Sequence, residues 1–372
     1  MISKNKTVVL HVVEALGGGV YSYFTDLSHV LGQDSRIKLV IAYSNKRDEI
    51  DPEKVAQDFH ANVELVLLDL KKEISLRSDF NGVKQISKLI SQVNPDVIHL
   101  HSSKAGILGK IAIMVCKFKK PTYYTPHGYS FLRQDISTLK RRFYKNIEFL
   151  FARFSRTKTI ACGDTEWGLA VKMNASAQLI RNGIRMDQFD SSKQHSNNNS
   201  LKLGTLGRIS FQKDPTTFNE IALQSRQESF LWIGSGNLKH KITAPNIEVT
   251  GWFVDKNEAI PLLKQLDVYI QTSLWEGLPI AVIEAMAMGL PVIASNIIGN
   301  KDLVEHGKTG FLVDQNYDYV KFISMLRDLQ TRKTMGAAGR KRVLELYDCN
   351  KNFKQLVDLY LHDLSSIEKQ KY

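Results

Sequence analysis

Residues 267–295 read DVYIQTSLWEGLPIAVIEAMAMGLPVIAS, and this stretch decides the fold. The apolar run at 267–271 has the length of a buried strand, and a second such run lies at 291–294. A loop between them leads into a helix-length segment at Pro279, because proline suits the first helical position, where no intrahelical partner awaits its N–H. A strand, a helix and another strand in this order predict a parallel sheet covered by helices.

The same alternation extends through most of the chain in two blocks. Short apolar runs and helix-length segments alternate in both, with predicted strands at 7–13, 38–42, 63–68, 97–100, 122–125, 159–162, 201–206, 230–233 and 247–250. Predicted helices include 20–31, 83–93, 105–116, 139–153, 317–330, 332–346 and 352–367. We therefore predict an α/β fold of two Rossmann-like, doubly wound domains facing each other across a ligand-binding cleft.

A polar stretch with three consecutive asparagines at 197–199 divides the two blocks. It has the composition of a linker. The predicted organisation is a first domain at 1–184, a linker at 185–200 and a second domain at 201–350. A C-terminal segment at 351–372 is expected to pack back towards the first domain.

Composition narrows the class of protein. The chain has 372 residues, with 43% hydrophobic and 24% charged side chains, as in ordinary globular proteins. Its three cysteines form no C-x-x-C pair, which argues against a disulfide framework or a zinc site. Glu14 interrupts the first apolar run, unlike a signal peptide, and no run is long enough to span a bilayer. A cytoplasmic location is expected, with peripheral attachment to the inner face of the membrane as an option.

The charge is strongly basic, with a formal net charge of +12. Residues 101–160 hold thirteen lysines and arginines against only Asp135 and Glu148. Nucleic acid, anionic lipid or a phosphorylated substrate would each match this excess, and so would a solvated face. The predicted helix 139–153 interleaves aromatic and basic residues, so it suits either an anionic membrane surface or a core contact with a basic edge. An RNP-type motif and a zinc-ligand pattern are absent from the sequence, so a nucleic-acid partner is not expected.

Two glutamates flank the start of the predicted helix at Pro279. Glu276 lies in the loop, and Glu284 lies on the helix itself. The amides at the start of a helix form an anion site, and a glutamate beside it suits sugar hydroxyls better than phosphate. Two glutamates at this spacing are weak evidence alone, but the surrounding S-x-x-E-G-x-P and E-A-M-A-x-G-x-P-V-I-A-S strings are far more specific.

This segment resembles the donor-binding E-x7-E segment of the retaining glycosyltransferase family 4, which has the GT-B fold. The resemblance implies that Glu276 contacts hydroxyls of the transferred sugar and that Glu284 contacts the ribose of the nucleotide. It further implies that sugar and diphosphate lie against Gly277, Leu278, Pro279 and Ile280.

A pair of basic residues follows the predicted strand 201–206, where Arg208 and Lys213 match the G-R-x-x-x-x-K pattern of the same family. Fixed cations stabilise the negative charge that develops on a leaving diphosphate. The resemblance also implies donor contacts from glycines and one aromatic residue, namely Gly18, Gly19, Gly234 and Phe253.

Three residues near the ends of predicted strands complete the candidate site. His127 follows strand 122–125, and the family resemblance implies that it touches the transferred sugar near its reacting end. Ser102 and Lys104 follow strand 97–100 in a stretch similar to polysaccharide-assembly enzymes, so both are expected to face the acceptor.

The sequence holds no Asp-x-Asp motif, the carboxylate pair with which GT-A transferases hold a metal. We therefore expect no metal and no cofactor other than the nucleotide-sugar donor. The resemblance favours UDP as the nucleotide of that donor, with GDP as the alternative. The resemblance implies a retaining transferase that moves a hexose or N-acetylhexosamine to a polyprenyl-diphosphate-linked saccharide in surface polysaccharide biosynthesis. The alternatives are a sugar-nucleotide epimerase of similar architecture and, in a different class, a basic nucleic-acid-binding protein.

Overall fold

A computed structural model describes residues 6–46, 50–71, 73–173, 175–189, 200–252, 258–316 and 318–369. The chain divides into two compact units. The first unit comprises Met1–Phe131, Thr138–Asn182 and Cys349–Tyr372, and the second comprises Leu132–Ser137 and Gly183–Asp348. The six residues 132–137, expected in the first domain, thus belong to the second unit.

The first unit is built on a parallel sheet in the order β3-β2-β1-β4-β5-β6-β7. Its strands are β1 (Thr7–Val13), β2 (Ile37–Tyr43), β3 (Glu64–Leu67), β4 (Val97–His101), β5 (Thr122–Thr125), β6 (Lys158–Ala161) and β7 (Ala177–Leu179). Strand β7 was not predicted, because it has three residues and lies at the edge of the sheet without a fully buried side chain. The chain order reverses between β1 and β4, which makes their carboxyl ends a switch point of the sheet.

Helices cover this sheet, namely α1 (Gly19–Gly32), α2 (Pro52–Asp58), α3 (Leu76–Val93), α4 (Ser103–Val115), α5 (Thr138–Phe154), α6 (Asp164–Lys172) and the C-terminal α13 (Cys349–Lys369). Helix α13 contributes Phe353, Leu356, Val357 and Tyr360 to the core that β1 and α1 also fill. It begins two residues before the predicted segment 351–372 and is part of the first unit.

The second unit has a parallel sheet in the order β10-β9-β8-β11-β12-β13. Its strands are β8 (Lys202–Leu206), β9 (Ser229–Ile233), β10 (Ile247–Val249), β11 (Val268–Gln271), β12 (Val292–Ser295) and β13 (Gly310–Val313). Its helices are α7 (Pro215–Gln224), α8 (Ala259–Lys264), α9 (Ile280–Ala287), α10 (Asn300–Leu303), α11 (Asp318–Met325) and α12 (Leu329–Leu346). Here the order reverses between β8 and β11.

Two predicted helix boundaries were wrong. Pro279 is the N-cap of α9 rather than its first residue, because its backbone is extended at ψ 109° while its carbonyl already accepts from the Val282 N–H at 3.1 Å. The predicted helix 317–330 is two helices, because the side chain of Asp328 caps a new one by accepting from the Thr331 N–H at 2.7 Å.

The predicted fold class, two doubly wound parallel α/β domains, is confirmed. In such sheets ligands bind outside the carboxyl ends of the strands at the switch point. We therefore expect ligand-binding residues in the segments that follow β1, β4 and β5 in the first unit and β8, β9 and β11 in the second. Within the described part of the chain, no helix combines the length and apolarity needed to cross a membrane.

Candidate functional site

The switch point of the second unit brings two predicted site residues together. Lys213 ends a short 3-10 turn (Phe211–Lys213) after β8, and Glu276 lies in the loop after β11. Lys213 Nζ lies 2.7 Å from Glu276 Oε1, and the two side chains are 17% and 9% exposed. A cation and a carboxylate, 63 residues apart in the chain, thus form one ion pair at the carboxyl edge of the sheet.

Further donors fix the carboxylate of Glu276. Gln271 Nε2 donates to Oε1 at 3.0 Å, and Gln212 Nε2 donates to Oε2 at 3.3 Å. Gln212 also donates to the Trp275 carbonyl at 2.9 Å. Both carboxylate oxygens therefore have partners, and the side chain is held in one orientation.

Gln271 was not among the predicted site residues. It is fully buried at the end of β11, and its Oε1 lies 3.3 Å from the hydroxyl of Tyr269. Thr272, the next residue, donates from Oγ1 to the Lys213 carbonyl at 2.7 Å. The signal in the sequence was an uncharged polar side chain that ends an apolar strand, which is the position from which a side chain reaches the loops.

Glu284 lies on α9 and is buried, with 5% exposure. Burial raises the pKa of the Tyr269 hydroxyl far above its usual range, and the negative charges of Glu284 and Glu276 raise it further. Both glutamates of the predicted pair therefore act on the same buried hydroxyl beneath the loops. Of the residues between them, Leu278, Pro279 and Ile280 are buried and Gly277 is partly exposed.

Glycines allow the loops around this pair to pack closely. Gly234 follows β9 with φ 132°, and a Cβ there would lie 2.4 Å from the Gly207 carbonyl oxygen. Gly299 has φ 86°, and a Cβ there would lie 2.3 Å from the Gly277 carbonyl oxygen. Arg208 follows Gly207 and is exposed at the same edge of the sheet.

In the first unit, the loop after β1 ends in exposed glycines. Gly18 is the N-cap of α1 with φ 55° and ψ −129°, a conformation suited to glycine. Gly19 begins the helix, so the predicted donor glycines lie at a helix N-terminus at the switch point.

His127 lies just after β5 with a left-handed backbone, φ 52°. Its Nε2 lies 3.0 Å from His101 Nδ1, and its ring packs edge-on against Tyr23 with 4.7 Å between centroids. The Gly128 N–H donates to Glu166 Oε1 at 2.8 Å, and the Cys162 N–H donates to Oε2 of the same carboxylate at 2.8 Å. The loop that carries His127 is thereby fixed.

The two predicted acceptor residues differ in their surroundings. Ser102 has φ 66°, and its buried Oγ has no hydrogen-bond partner among the described residues. Strained backbone of this kind is typical of functional sites. Lys104 instead forms an ion pair with Asp79 at 2.8 Å and donates to the Glu73 carbonyl. Phe253 lies outside the described residues.

Both units match models of known protein families. The family model for group 1 glycosyl transferases matches residues 200–331, which include Lys213, Glu276 and Glu284. The model named Glycosyltransferase Family 4 matches residues 17–188, which include His127. The two models together cover most of the chain.

Full-length relatives carry related names. The chain is 29% identical over 323 residues to the Escherichia coli UDP-Gal:alpha-D-GlcNAc-diphosphoundecaprenol alpha-1,3-galactosyltransferase, with coverage of 78% of this chain and 82% of the relative. It is 25% identical over 327 residues to the Staphylococcus aureus capsular polysaccharide biosynthesis glycosyltransferase CapM, with coverage of 79% and 84%.

Solved structures share the fold. Sucrose-phosphate synthase from Thermosynechococcus elongatus superposes with a TM-score of 0.81 at 16% identity, covering 97% of this chain and all of the other. Anabaena HepE, solved with UDP and glucose, has a TM-score of 0.75 at 18% identity, covering 94% and 98%. None of these matches supports the epimerase or nucleic-acid alternative. The chain is a glycosyltransferase with the GT-B fold, and its two units resemble the family 4 and group 1 glycosyltransferases.

Proposed function

We propose that this enzyme transfers a hexose or N-acetylhexosamine from a UDP-sugar to a hydroxyl of a polyprenyl-diphosphate-linked saccharide, with retention, in surface polysaccharide biosynthesis. The observation that carries the proposal is the Lys213–Glu276 pair at the switch point of the second unit. The names of the Escherichia coli and Staphylococcus aureus relatives support the choice of substrates.

The pair matches the chemistry of a nucleotide sugar. In such a donor the anionic diphosphate is bonded directly to the anomeric carbon, so an anion-binding group and a hydroxyl-binding group must be neighbours. Lys213 and Glu276 are neighbours at 2.7 Å. In the proposed complex the ammonium of Lys213 contacts a diphosphate oxygen, and the carboxylate of Glu276 accepts hydrogen bonds from sugar hydroxyls.

Charge on the leaving UDP is balanced by the protein in this proposal. Arg208 and Lys213 supply two cations, and the N-terminal end of α9 supplies amides and the positive end of a helix dipole. The donor therefore needs no metal ion in the proposed mechanism. Glu284, one helical turn further along α9, is assigned to the ribose hydroxyls.

Transfer proceeds with same-face attack. The acceptor hydroxyl oxygen forms a bond to the anomeric carbon while the bond from that carbon to the phosphate oxygen breaks, and the hydroxyl proton passes to the departing phosphate. Glu276 is assigned no nucleophilic role, since Lys213, Gln271 and Gln212 already donate to its oxygens. The α linkage in the name of the Escherichia coli relative supports retention.

Helix α5 supports a lipid-linked acceptor and attachment to the inner face of the membrane. Its one buried residue among those described is Glu148, which accepts from the Tyr124 hydroxyl at 2.8 Å. Lys110 Nζ lies 3.8 Å from the centroid of the same tyrosine ring, so a buried polar cluster attaches this helix to the unit.

The opposite face of α5 is apolar and exposed. Leu139, Phe143, Leu150 and Phe154 follow each other at intervals of four, seven and four residues, which places them on one face at 3.6 residues per turn. They are 52% to 78% exposed. Arg142 and Arg153 border this face, so the helix offers apolar insertion flanked by cations, as an anionic lipid surface requires. We call Leu139, Phe143, Leu150 and Phe154 the α5 apolar face.

The experiment that tests the function is a transfer assay with purified full-length enzyme. UDP-galactose, UDP-glucose, their N-acetylamino analogues and GDP-mannose are offered with a synthetic GlcNAc-diphosphate-lipid, and products are identified by mass and anomeric NMR coupling. One UDP-sugar is expected to give an α-linked product, and the acceptor without its diphosphate-lipid is expected to react far more slowly. A β-linked product, or transfer from GDP-mannose alone, would overturn the proposal.

A further inference from the structure

Four histidines of the first unit form a continuous chain of contacts from the core to the end of β5. His127 Nε2 lies 3.0 Å from His101 Nδ1, and His101 Nε2 lies 2.9 Å from His11 Nδ1. His11 Nε2 lies 3.5 Å from the hydroxyl of Tyr360, a residue of α13. We call His127, His101, His11, Tyr360, His99 and Thr125 the histidine chain.

The histidine chain ends at Thr125 in β5. His99 Nδ1 lies 2.5 Å from the Tyr360 hydroxyl, and His99 Nε2 lies 2.8 Å from Thr125 Oγ1. His11, His99 and His101 are fully buried, whereas His127 is partly exposed. The chain thus connects the core beneath α13 to a residue that the proposed function places against the sugar.

The spacing fits hydrogen bonds better than a metal site. The nitrogens of His11, His99 and His101 lie close enough together to suggest metal ligands. Two nitrogens bound to one tetrahedral zinc would lie about 3.3 Å apart, but His11 Nδ1 and His101 Nε2 are 2.9 Å apart. Both nitrogens of each of these three rings already face a partner within the chain.

These rings are neutral. Burial lowers the pKa of His11 to about 3 and holds the pKa of His99 and His101 well below the usual range for histidine. A neutral imidazole has one N–H donor and one bare nitrogen acceptor. Each ring that donates a hydrogen bond through one nitrogen must therefore accept one through the other. The donor–acceptor order of one hydrogen bond thus fixes the order of the next.

Tyr360 sets that direction, because its hydroxyl has a single hydrogen to donate. The hydroxyl lies 2.5 Å from His99 Nδ1 and 3.5 Å from His11 Nε2, and only the first distance allows a strong hydrogen bond, so the hydroxyl hydrogen is assigned to the contact with His99. Tyr360 thus donates to His99, and His99 Nε2–H donates to Thr125. With that hydrogen directed at His99, the Tyr360 oxygen presents a lone pair to His11 Nε2, and a bare nitrogen would repel it, so Nε2 is the His11 nitrogen that carries the hydrogen.

The remaining links follow from His11. Its bare Nδ1 accepts from His101 Nε2–H, and the bare Nδ1 of His101 accepts from His127 Nε2–H. We propose that the histidine chain holds His127 as the Nε2–H tautomer, with Nδ1 as a hydrogen-bond acceptor for a hydroxyl of the transferred sugar. His101 and Tyr360 are positioning residues in this proposal, and its functional part rests on the proposed sugar contact of His127.

The test is nitrogen NMR of the full-length chain labelled with ¹⁵N-histidine, with the His127 signals assigned by their loss in His127→Ala. Wild type is expected to show Nε2 protonated and Nδ1 bare. Tyr360→Phe keeps the ring but removes the hydroxyl, so the direction is no longer set and both tautomers of His127 should appear. Turnover should fall by roughly threefold to tenfold, the effect of one misplaced hydrogen bond, while UDP affinity stays unchanged.

Tyr123→Phe is the matched control. The rings of Tyr123 and Tyr360 pack with 4.9 Å between their centroids. The Tyr123 hydroxyl, however, donates to Asp363, which is not part of the histidine chain. It should leave the His127 signals at wild-type positions. His127 as the Nδ1–H form or as a cation in wild type, an unchanged tautomer in Tyr360→Phe, or one tightly bound zinc per chain that His101→Gln abolishes would each overturn the inference.

Failure of the proposed function gives a different result. If His127→Ala retains full turnover, His127 does not contact the sugar and the proposed role of that residue fails. The wild-type tautomer and its loss in Tyr360→Phe would still be observed, and the structural part of the inference would stand.

Discussion

Lys213 Nζ and Glu276 Oε1 lie 2.7 Å apart, joining the loop after β8 to the loop after β11. The two groups have opposite charges and, in the proposed complex, bind adjoining parts of one ligand. Because the pair is mostly buried, each group keeps its orientation before the donor arrives. We therefore propose that the site is preorganised for the junction between diphosphate and sugar.

Replacing Glu276 by alanine should lower the rate of transfer by about a hundredfold to a thousandfold, because the proposed charged hydrogen-bond acceptor for the sugar is lost from a buried site. The rate is measured with the UDP-sugar identified in the transfer assay. Glu220→Ala, an exposed glutamate on α7, is the control and should leave the rate unchanged. Turnover of Glu276→Ala near the wild-type value would remove Glu276 from the site.

Gln271→Leu tests whether the residue that the sequence analysis missed positions Glu276. The substitution removes the donor at 3.0 Å while keeping a side chain of similar size. Turnover should fall by roughly tenfold to a hundredfold, since one hydrogen bond to a charged group contributes about 1.5–3 kcal/mol. UDP affinity, measured by calorimetry, should not change. Loss of UDP affinity equal to the loss of turnover would indicate collapse of the whole site instead.

The α5 apolar face predicts binding to anionic membranes. Vesicles containing phosphatidylglycerol should sediment the enzyme at low salt, and salt should weaken the binding. Phe143→Ser combined with Leu150→Ser should reduce binding by at least about tenfold, because burial of each side chain contributes about 1.5–3 kcal/mol.

Leu223→Ser is the control for this comparison, since Leu223 is an exposed leucine on α7 of the second unit. It should bind vesicles as wild type does. Equal sedimentation of all three proteins, or equal binding to neutral vesicles, would contradict the assignment of α5 to the membrane.

The histidine chain makes the stability of the enzyme depend on pH. In the unfolded chain a histidine binds a proton below pH 6.5, whereas burial lowers the pKa of the folded His11 to about 3. Between these values the unfolded state binds more protons, so the free energy of unfolding decreases as pH falls. Each buried histidine contributes about 1.4 kcal/mol per pH unit.

Urea unfolding at pH 7.5, 6.5 and 5.5 measures the slope of the free energy of unfolding against pH. His11→Gln should make the slope shallower, because one proton-binding group is removed from the unfolded state. His362→Gln is the control for replacing a histidine by glutamine, since His362 is exposed and lies outside the histidine chain. A slope that His11→Gln does not alter would show that His11 is protonated in the folded protein.

Most of the fold could be predicted from the sequence, because strands buried on both faces read as continuous apolar runs. β1 and β5 were predicted to the residue. β7 and β13 were missed, since β7 has three residues without a fully buried side chain and β13 begins with a glycine, a residue depleted in strands. The break between α11 and α12 depended on the cap at Asp328, which is a local hydrogen bond rather than a pattern of hydrophobicity.

The candidate-site residues that belong to a sequence motif were predictable, whereas those placed by contacts between distant segments were not. Glu276 and Lys213 were found from their motifs, but their direct contact depends on the order of β8 and β11 in the sheet. Gln271 and Tyr360 were not found as functional residues. Their roles come from hydroxyl and amide contacts across distant segments, such as Tyr360 with His99, 261 residues apart.

The most direct test of the central claim compares the affinities of UDP and of the UDP-sugar donor for wild type, Glu276→Ala and Lys213→Ala by calorimetry. Glu276→Ala should keep wild-type affinity for UDP and lose the additional affinity that the sugar provides. Lys213→Ala should weaken both ligands, because both carry the diphosphate. If Glu276→Ala weakens UDP as much as the UDP-sugar, or if Lys213→Ala leaves UDP affinity unchanged, the pair does not bind the junction between sugar and diphosphate.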